Sequence, residues 1–320
     1  MAEREKITDP ELKSAIAGID IGGTKIKFGL VLDNDKILHK WSIDMPAREN
    51  EKYTSKLICN SLKEHCRETQ VVLTGIGIDV PGVVNPKNNK VYDCTNLGWE
   101  NGTDIKVLIQ KEFPNIPIVL ANDANAAAIG EKWQGKINDS NLFFVTLGTG
   151  VGGALILNNQ IFHGSFGYAG EFGHVFASDN GLRCTCGNYG CLETISSATA
   201  ISQAYQRTTG KKLSTKEIFS NAENGEDIAK NIIDEATNYL AIAIANVVNV
   251  VNVSEVIIGG GVADAGDFLL NKVITNMKPH LFIGNKKKLK IKLATLKNNA
   301  GIFGMVLLVR NQREDKINEN

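Results

Sequence analysis

At 320 residues the chain is long enough for two domains with substantial cores. Its 35 Lys+Arg balance 35 Asp+Glu, so no net field holds a polyanion, which argues against nucleic acid as the main partner. Hydrophobic residues at 43% and charged residues at 22% are ordinary for a globular protein, whereas 31 glycines exceed the usual ~7% and imply many tight turns or close backbone approaches.

The start, MAEREKITDPELKS, is polar and lacks both an apolar core and a small-residue cleavage site, so it is not a secretory signal and the cytoplasm is the expected compartment. Ala15 to Ile21 has the pattern of a short strand, Gly22-Gly23 of a turn, and Lys25 to Leu32 of an alternating second strand ending at Asp33-Asn34-Asp35. Glu51 to Thr69 is helical in period, and Val71 to Val80 is a buried strand ended by Pro81-Gly82. Ile118 to Ala121 is another short strand. It feeds Asn122-Asp123, which opens an alanine-rich helix through Trp133 that Gly135 closes as a C-terminal cap.

From Leu142 the opening pattern recurs: strand to Leu147, glycine run Gly148 to Gly153, strand Ala154 to Leu157, turn Asn158-Asn159-Gln160. An internal repeat of this kind predicts two duplicated lobes, residues 1–120 with a closing helix from 299, and residues 121–298, with a cleft between them. Farther on, Asp227 to Val251 is a long helix, Glu255 to Ile258 a strand, Gly259-Gly260-Gly261 a turn, and Ala263 to Met277 a helix. A last strand spans 290 to 296, a closing helix Asn299 to Arg310, and the polar tail is expected to fray. The longest apolar stretch, Tyr239 to Val253, is interrupted by Asn246, Asn249 and Asn252 and falls short of the ~20 residues of a membrane span.

The glycine turns carry the first chemical signal. In DIGGTK, Asp20 sits at a strand end, Gly22 and Gly23 let backbone N–H groups approach a phosphate, and Thr24 and Lys25 add a hydroxyl and a cation; an ordinary hairpin turn is the alternative. The run 148 to 153 matches G-x-G-x-x-G, but it leads into a strand where a dinucleotide fingerprint opens a helix, so a nicotinamide-binding fold is not expected. Two glycine hairpins with a third glycine turn at 259 to 261 suit a nucleotide held between lobes.

DIGGTKIKFGLV, the Asn-Asp of LANDANAAA, LGTGVGGALI, EFGH, CTCGNYGCLE and IIGGGV, in this order over about residues 15 to 310, resemble the ROK sugar kinases and repressors, most of all their glucokinase branch. The resemblance implies an α/β, two-lobed actin/hexokinase-like (ribonuclease H-like) ATPase fold, ATP on the glycine hairpins, and phosphoryl transfer to a sugar hydroxyl. It places nucleotide contacts at Asp20, Gly22, Gly23, Thr24, Lys25, Gly148, Thr149, Gly150, Gly152, Gly153, Gly260 and Gly261, with Mg²⁺ bridging the phosphates near Asp20. Glu171, His174 and Glu193 fall to sugar hydroxyls, as do Asn96 and Asn122. Asp123 matches the general base, and a helix N-terminus favours the anion that role needs; a plain N-cap is the alternative.

His174 with Cys184, Cys186 and Cys191 completes a Cys3His set with no open position, the composition of a structural Zn²⁺ site, against the alternative of reduced core thiols. Zinc on one ring nitrogen would orient the other toward a sugar hydroxyl. Cys59, Cys66 and Cys94 lack this clustering and are expected to be core or surface thiols, and the lysines at 286 to 288 a solvated turn before an edge strand. The expected function is an ATP-dependent glucokinase of glycolysis, with fructose, mannose or N-acetylmannosamine as alternative sugars. A sugar-sensing repressor would need a DNA-binding module ahead of Asp20, and 19 residues are too few for one. A homodimer or homotetramer is the expected assembly.

Overall fold

The structure is a computed structural model that describes residues 12–46, 49–94, 96–179 and 182–318, with the backbone alone given for 315–318. The polar start up to residue 11 and Thr95 of the Asn96 turn lie outside the described residues. Two compact units divide the chain: Met1–Val84, Asn88–Ala121 and Met305–Asn320 form the first, and Asn85–Lys87 with Asn122–Gly304 the second.

In unit 1, β1 (Lys13–Ile21) and β2 (Lys25–Leu32) form the glycine hairpin, β3 (Ile37–Asp44) extends it, and helix α1 (Glu51–Glu68) leads to β4 (Val71–Val80). Asn50 starts α1 by accepting the Tyr53 N–H at 2.9 Å, so the helix begins where an Asx side chain is available as a cap. The short pair β5 (Val83–Val84) and β6 (Val91–Tyr92), helix α2 (Ile105–Glu112) and β7 (Ile118–Asn122) follow. The sheet order is β3-β2-β1-β4-β7, with β1 antiparallel to β2 and parallel to β4. Its core includes Ile19, Phe28, Ile58, Leu62, Ile76 and Ile78, all fully buried.

Unit 2 opens with α3 (Asp123–Trp133), then β8 (Leu142–Leu147), β9 (Val151–Leu157) and β10 (Gln160–Ile161). After a long loop come α4 (Glu193–Ser196), α5 (Ala198–Thr209), α6 (Thr215–Glu223) and α7 (Asp227–Val251). Strand β11 (Glu255–Gly259), α8 (Asp267–Met277), α9 (Ile283–Lys288), β12 (Lys290–Leu293) and α10 (Ala300–Asn318) complete the chain. The sheet order is β10-β9-β8-β11-β12, with β8 antiparallel to β9 and parallel to β11. A hairpin sits on one side of each central strand, β1 or β8, and a parallel neighbour on the other, so the internal repeat read from the glycine turns is a repeat of sheet topology.

Several expected boundaries shift. Strand β9 begins at Val151, because Gly152 and Gly153 are strand residues: an added Cβ would come within 2.8 Å of Thr146 Cγ2 and 2.7 Å of Phe172 Cβ respectively. Gly135 is not a left-handed cap. Gln134 closes α3 in right-handed conformation, and the positive φ falls on Lys136. The expected helix 263 to 277 is broken at Gly266, whose φ of 65° separates a 3-10 segment from α8. The lysines at 286 to 288 end a short helix before β12, an edge strand that stops at Leu293 rather than 296, and α10 continues to Asn318 where fraying was expected. No helix among the described residues is long and apolar enough to cross a membrane.

Two glycines on β4 admit the first half of α10. A Cβ on Gly77 would lie 2.6 Å from the Met305 carbonyl oxygen, and one on Gly75 would overlap Val309. Gly77→Ala is therefore expected to cost about 3 kcal/mol, the upper end of overpacking, and to lower the denaturant midpoint. Gly23→Ala, where an added Cβ meets nothing within 4 Å, leaves the midpoint unchanged.

Candidate active site

In unit 2 the predicted residues converge through a traceable set of contacts. Asn122 caps α3 by accepting the Asn125 N–H at 3.1 Å, which leaves Asp123 as the first helical residue, its Oδ1 accepting the Ala124 N–H at 2.8 Å. Asn122 thus fills the cap role that was the alternative for Asp123. The helix start packs on β9, where a Cβ on Gly152 would stand 3.5 Å from that of Ala124. Backbone close packing fixes the rest of α3: a Cβ on Gly130 would overlap the Ala300 carbonyl, and one on Gly304 the Ala126 carbonyl.

Glu193, at the start of α4, accepts the Val151 N–H through Oε2 at 2.9 Å, just past the Gly148-Thr149-Gly150 turn. Its Oε1 lies 3.9 Å from Cys184 Sγ. One carboxylate therefore touches both the glycine hairpin and the cysteine cluster. A Cβ on Gly150 would overlap Glu193 Oε2, so Gly150→Val should displace the turn and this carboxylate together and lower the denaturant midpoint.

The donor atoms of His174, Cys184, Cys186 and Cys191 all lie within 4.8 Å of one another. Cys184 Sγ is 3.6 Å from His174 Nδ1, and Cys186 Sγ is 3.7 Å from Cys191 Sγ. A tetrahedron with ~2.3 Å Zn–S bonds has edges of about 3.8 Å, so these two pairs already stand at the spacing of a Zn²⁺ site and a small inward shift of the other donors completes it. The geometry also separates the histidine nitrogens: Nδ1 lies beside the Cys184 thiol, and Nε2 lies 3.9 Å from Glu171 Oε2. In the protein alone, burial and then hydrogen bonds with Cys186 and Cys184 push the Cys191 thiol up to about 12, so metal loading must release protons. Cys59 and Cys66 are isolated from the cluster. Burial pushes both thiols up to about 11, as inert side chains require.

The three glycine turns are not equivalent in what the fold asks of them. Gly22, Gly150, Gly152, Gly153 and Gly260 are explained internally, by crowding at an added Cβ and, for Gly260, by a φ of 83° as well. Gly23, Gly148 and Gly261 have neither a left-handed φ nor any atom within 4 Å of an added Cβ. One such glycine stands on each of the three turns. Gly260 and Gly261 belong to the turn after β11, where Gly259, Gly260, Ala263, Asp264, Leu293, Ala294 and Lys297 line a cavity of about 190 Å³. Asp264 and Lys297 pair across it at 3.2 Å.

Unit 1 holds the remaining predicted residues. Asp20 accepts from Lys27 Nζ at 2.8 Å, Thr24 is exposed with its carbonyl accepting the Met45 N–H, and Lys25 Nζ lies 3.8 Å from Asp44. Asn96 lies on an exposed turn between buried Leu97 and Cys94. Asp79, buried at the end of β4 in parallel register with Asp20, escaped the sequence reading; the one charged residue of the strand was its signal. Asp264, Lys297 and the apolar cavity wall at Leu293 and Ala294 also escaped it.

The ROK family model matches residues 16–312. The chain is 34% identical to a glucokinase of Halalkalibacterium halodurans over 92% of this chain and 94% of that one, and 29% identical to a xylose repressor of Caldicellulosiruptor bescii over 92% and 78%. Among solved structures, a ROK family glucokinase from Streptomyces griseus in complex with glucose and AMPPNP superposes with a TM-score of 0.81 at 28% identity, covering 93% of this chain and 99% of that one. Together with the repeated sheet topology, these neighbours make the fold the two-lobed, actin/hexokinase-like ATPase fold.

Proposed function

We propose, from the premise that this chain belongs to the ROK family, that it is an ATP-dependent sugar kinase acting on glucose to give glucose 6-phosphate. The observation that carries the reading is the set Gly23, Gly148 and Gly261, glycines that neither packing nor backbone conformation requires and that a phosphate or ribose approaching the main chain does. The glucokinase relative and the AMPPNP-bound neighbour support the choice of donor and sugar.

In this reading Asp123 accepts the proton of the attacking hydroxyl as the γ-phosphoryl group transfers. Asn122, Glu171, His174 and Glu193, with Asn96 from unit 1, bind the sugar hydroxyls. His174 Nε2 is the ring nitrogen left to the sugar, because Nδ1 is turned to the thiols. The backbone at Gly22-Gly23-Thr24 and Gly148-Thr149-Gly150 holds the phosphates, and the cavity behind Gly260 holds the adenosine end. Asp20 is the carboxylate assigned to Mg²⁺, which when bound neutralises charge developing on the phosphates. His174, Cys184, Cys186 and Cys191 would hold a structural Zn²⁺, which would fix these four residues relative to one another, a role that requires reduced thiols and so suits the cytoplasm.

A coupled assay with ATP across glucose, fructose, mannose and N-acetylmannosamine tests the proposal. Glucose is expected to give the highest kcat/KM. A different preferred hexose would revise the substrate, and turnover of none of the four, with glucose still bound, would sink the kinase reading.

A further inference from the structure

Strand β12 ends at Leu293, and the chain beyond it forms one wall of the 190 Å³ cavity. A strand end leaves backbone N–H groups without ladder partners, and a loop built on such groups is not held in place unless something else accepts from them. Here the acceptor comes from α3. The carboxylate of Glu131, 1% exposed, accepts from Thr295 N at 3.0 Å and Thr295 Oγ1 at 3.1 Å through Oε2, and from Leu296 N at 2.7 Å through Oε1. Both carboxylate oxygens are thus committed to two adjacent residues of the loop.

The two residues so held lie between Ala294 and Lys297, both of which line the cavity. Lys297 takes a φ of 51°, unusual for a lysine, and from that position reaches across the cavity to Asp264. The near wall therefore depends on a side chain that does not line the cavity. Glu131 sits on the helix whose first residue is Asp123, and that helix is locked by the glycine contacts at Gly130 and Gly304, so the anchor is rigid.

We propose that Glu131 is a positioning residue for the phosphoryl donor: by fixing the loop at Thr295 and Leu296 it sets the shape of the cavity that receives the nucleoside end of ATP, without touching the nucleotide. The inference rests on the reading of this cavity as the nucleoside site of a kinase. A carboxylate is required because three donors converge on it. Glutamine of the same shape has one accepting oxygen, and its NH₂ group would meet an N–H donor.

Glu131→Gln in the full-length protein is expected to raise the KM for ATP about ten-fold, with kcat at saturating ATP and the KM for glucose within two-fold of the parent. In calorimetry it should weaken ADP by a similar factor and leave inorganic tripolyphosphate, which carries no nucleoside, unchanged. A residue that merely supports the fold would weaken ADP, tripolyphosphate and glucose in parallel, and that result overturns the proposal, as does a folded variant with unaltered ADP affinity. Should Glu131→Gln not fold, Thr295→Val removes the hydroxyl bond alone and is expected to raise the KM for ATP about three-fold at unchanged glucose KM; no rise overturns the proposal. Parent protein that binds no ADP defeats both the kinase reading and this one, whereas normal ADP binding by parent and variants alike defeats the role of Glu131 only.

Discussion

Asp123→Asn is expected to lower kcat at least ~100-fold while the KM for glucose stays within about two-fold. Asparagine keeps the size of the side chain and still offers an oxygen to the Ala124 N–H, which Asp123 Oδ1 now accepts at 2.8 Å. The cap of α3 is supplied by Asn122, so the substitution removes no capping bond, and the helix should remain intact. What is lost is the capacity to take a proton from a hydroxyl. A fall in kcat with preserved sugar affinity and an unchanged melting temperature therefore isolates base catalysis from structure. Near-normal turnover would reduce Asp123 to a favourable charge at a helix N-terminus.

The second large effect is expected from the cysteine cluster. Cys186→Ser should abolish stoichiometric zinc in elemental analysis, where the parent carries about one ion per chain, and weaken glucose ~10- to 100-fold. Cys186 is exposed and its Sγ pairs with that of Cys191, so its removal takes one of the four donors from the cluster. Without the ion, Cys184 alone would face His174 Nδ1, and the imidazole would be held less firmly. Nucleotide affinity should fall too, but less, because Glu193 Oε2 still accepts the Val151 N–H and Cys184, the thiol beside Oε1, is unaltered. Fully active enzyme without metal, or a zinc-free variant that binds glucose normally, would break the link between metal and sugar.

How much of this was legible in the sequence follows from how local each signal is. Helices α1 and α7 were readable from a sustained period and α3 from the polar pair Asn122-Asp123 at its start, β2 from alternation, and β4 and β8 from short apolar runs ended by turn residues. The Cys3His set was readable because three of its members fall within eight residues of one another, from Cys184 to Cys191. Gly152 and Gly153 misled because a glycine demanded by a neighbouring side chain is indistinguishable in sequence from one demanded by a turn. Gly266 misled for the converse reason, since Asp-Ala-Gly-Asp reads as continuous helix until its φ is known. Glu193 was identified, but not its bond to Val151, which spans 42 residues. The anchor from Glu131 to Leu296 spans 165, and the cavity wall it holds exists only once β11 and β12 are side by side.

Unit 1 takes its last helix from the far end of the chain: Met305 and Val309 lie against Gly77 and Gly75, and Arg310 reaches Asp35 and the Leu32 carbonyl. On the ribosome this order has a cost. Strands β1 to β4 emerge early, yet the segment that covers β4 follows the whole of unit 2, a delay of roughly 10 to 40 s at ordinary elongation rates. The downstream unit, contiguous from Asn122 to Gly304 apart from three residues, is fully synthesised first. The nascent N-terminal sheet must therefore be sheltered by chaperones or stay open until termination, and a message truncated before codon 305 should yield a folded second unit attached to a first that cannot close.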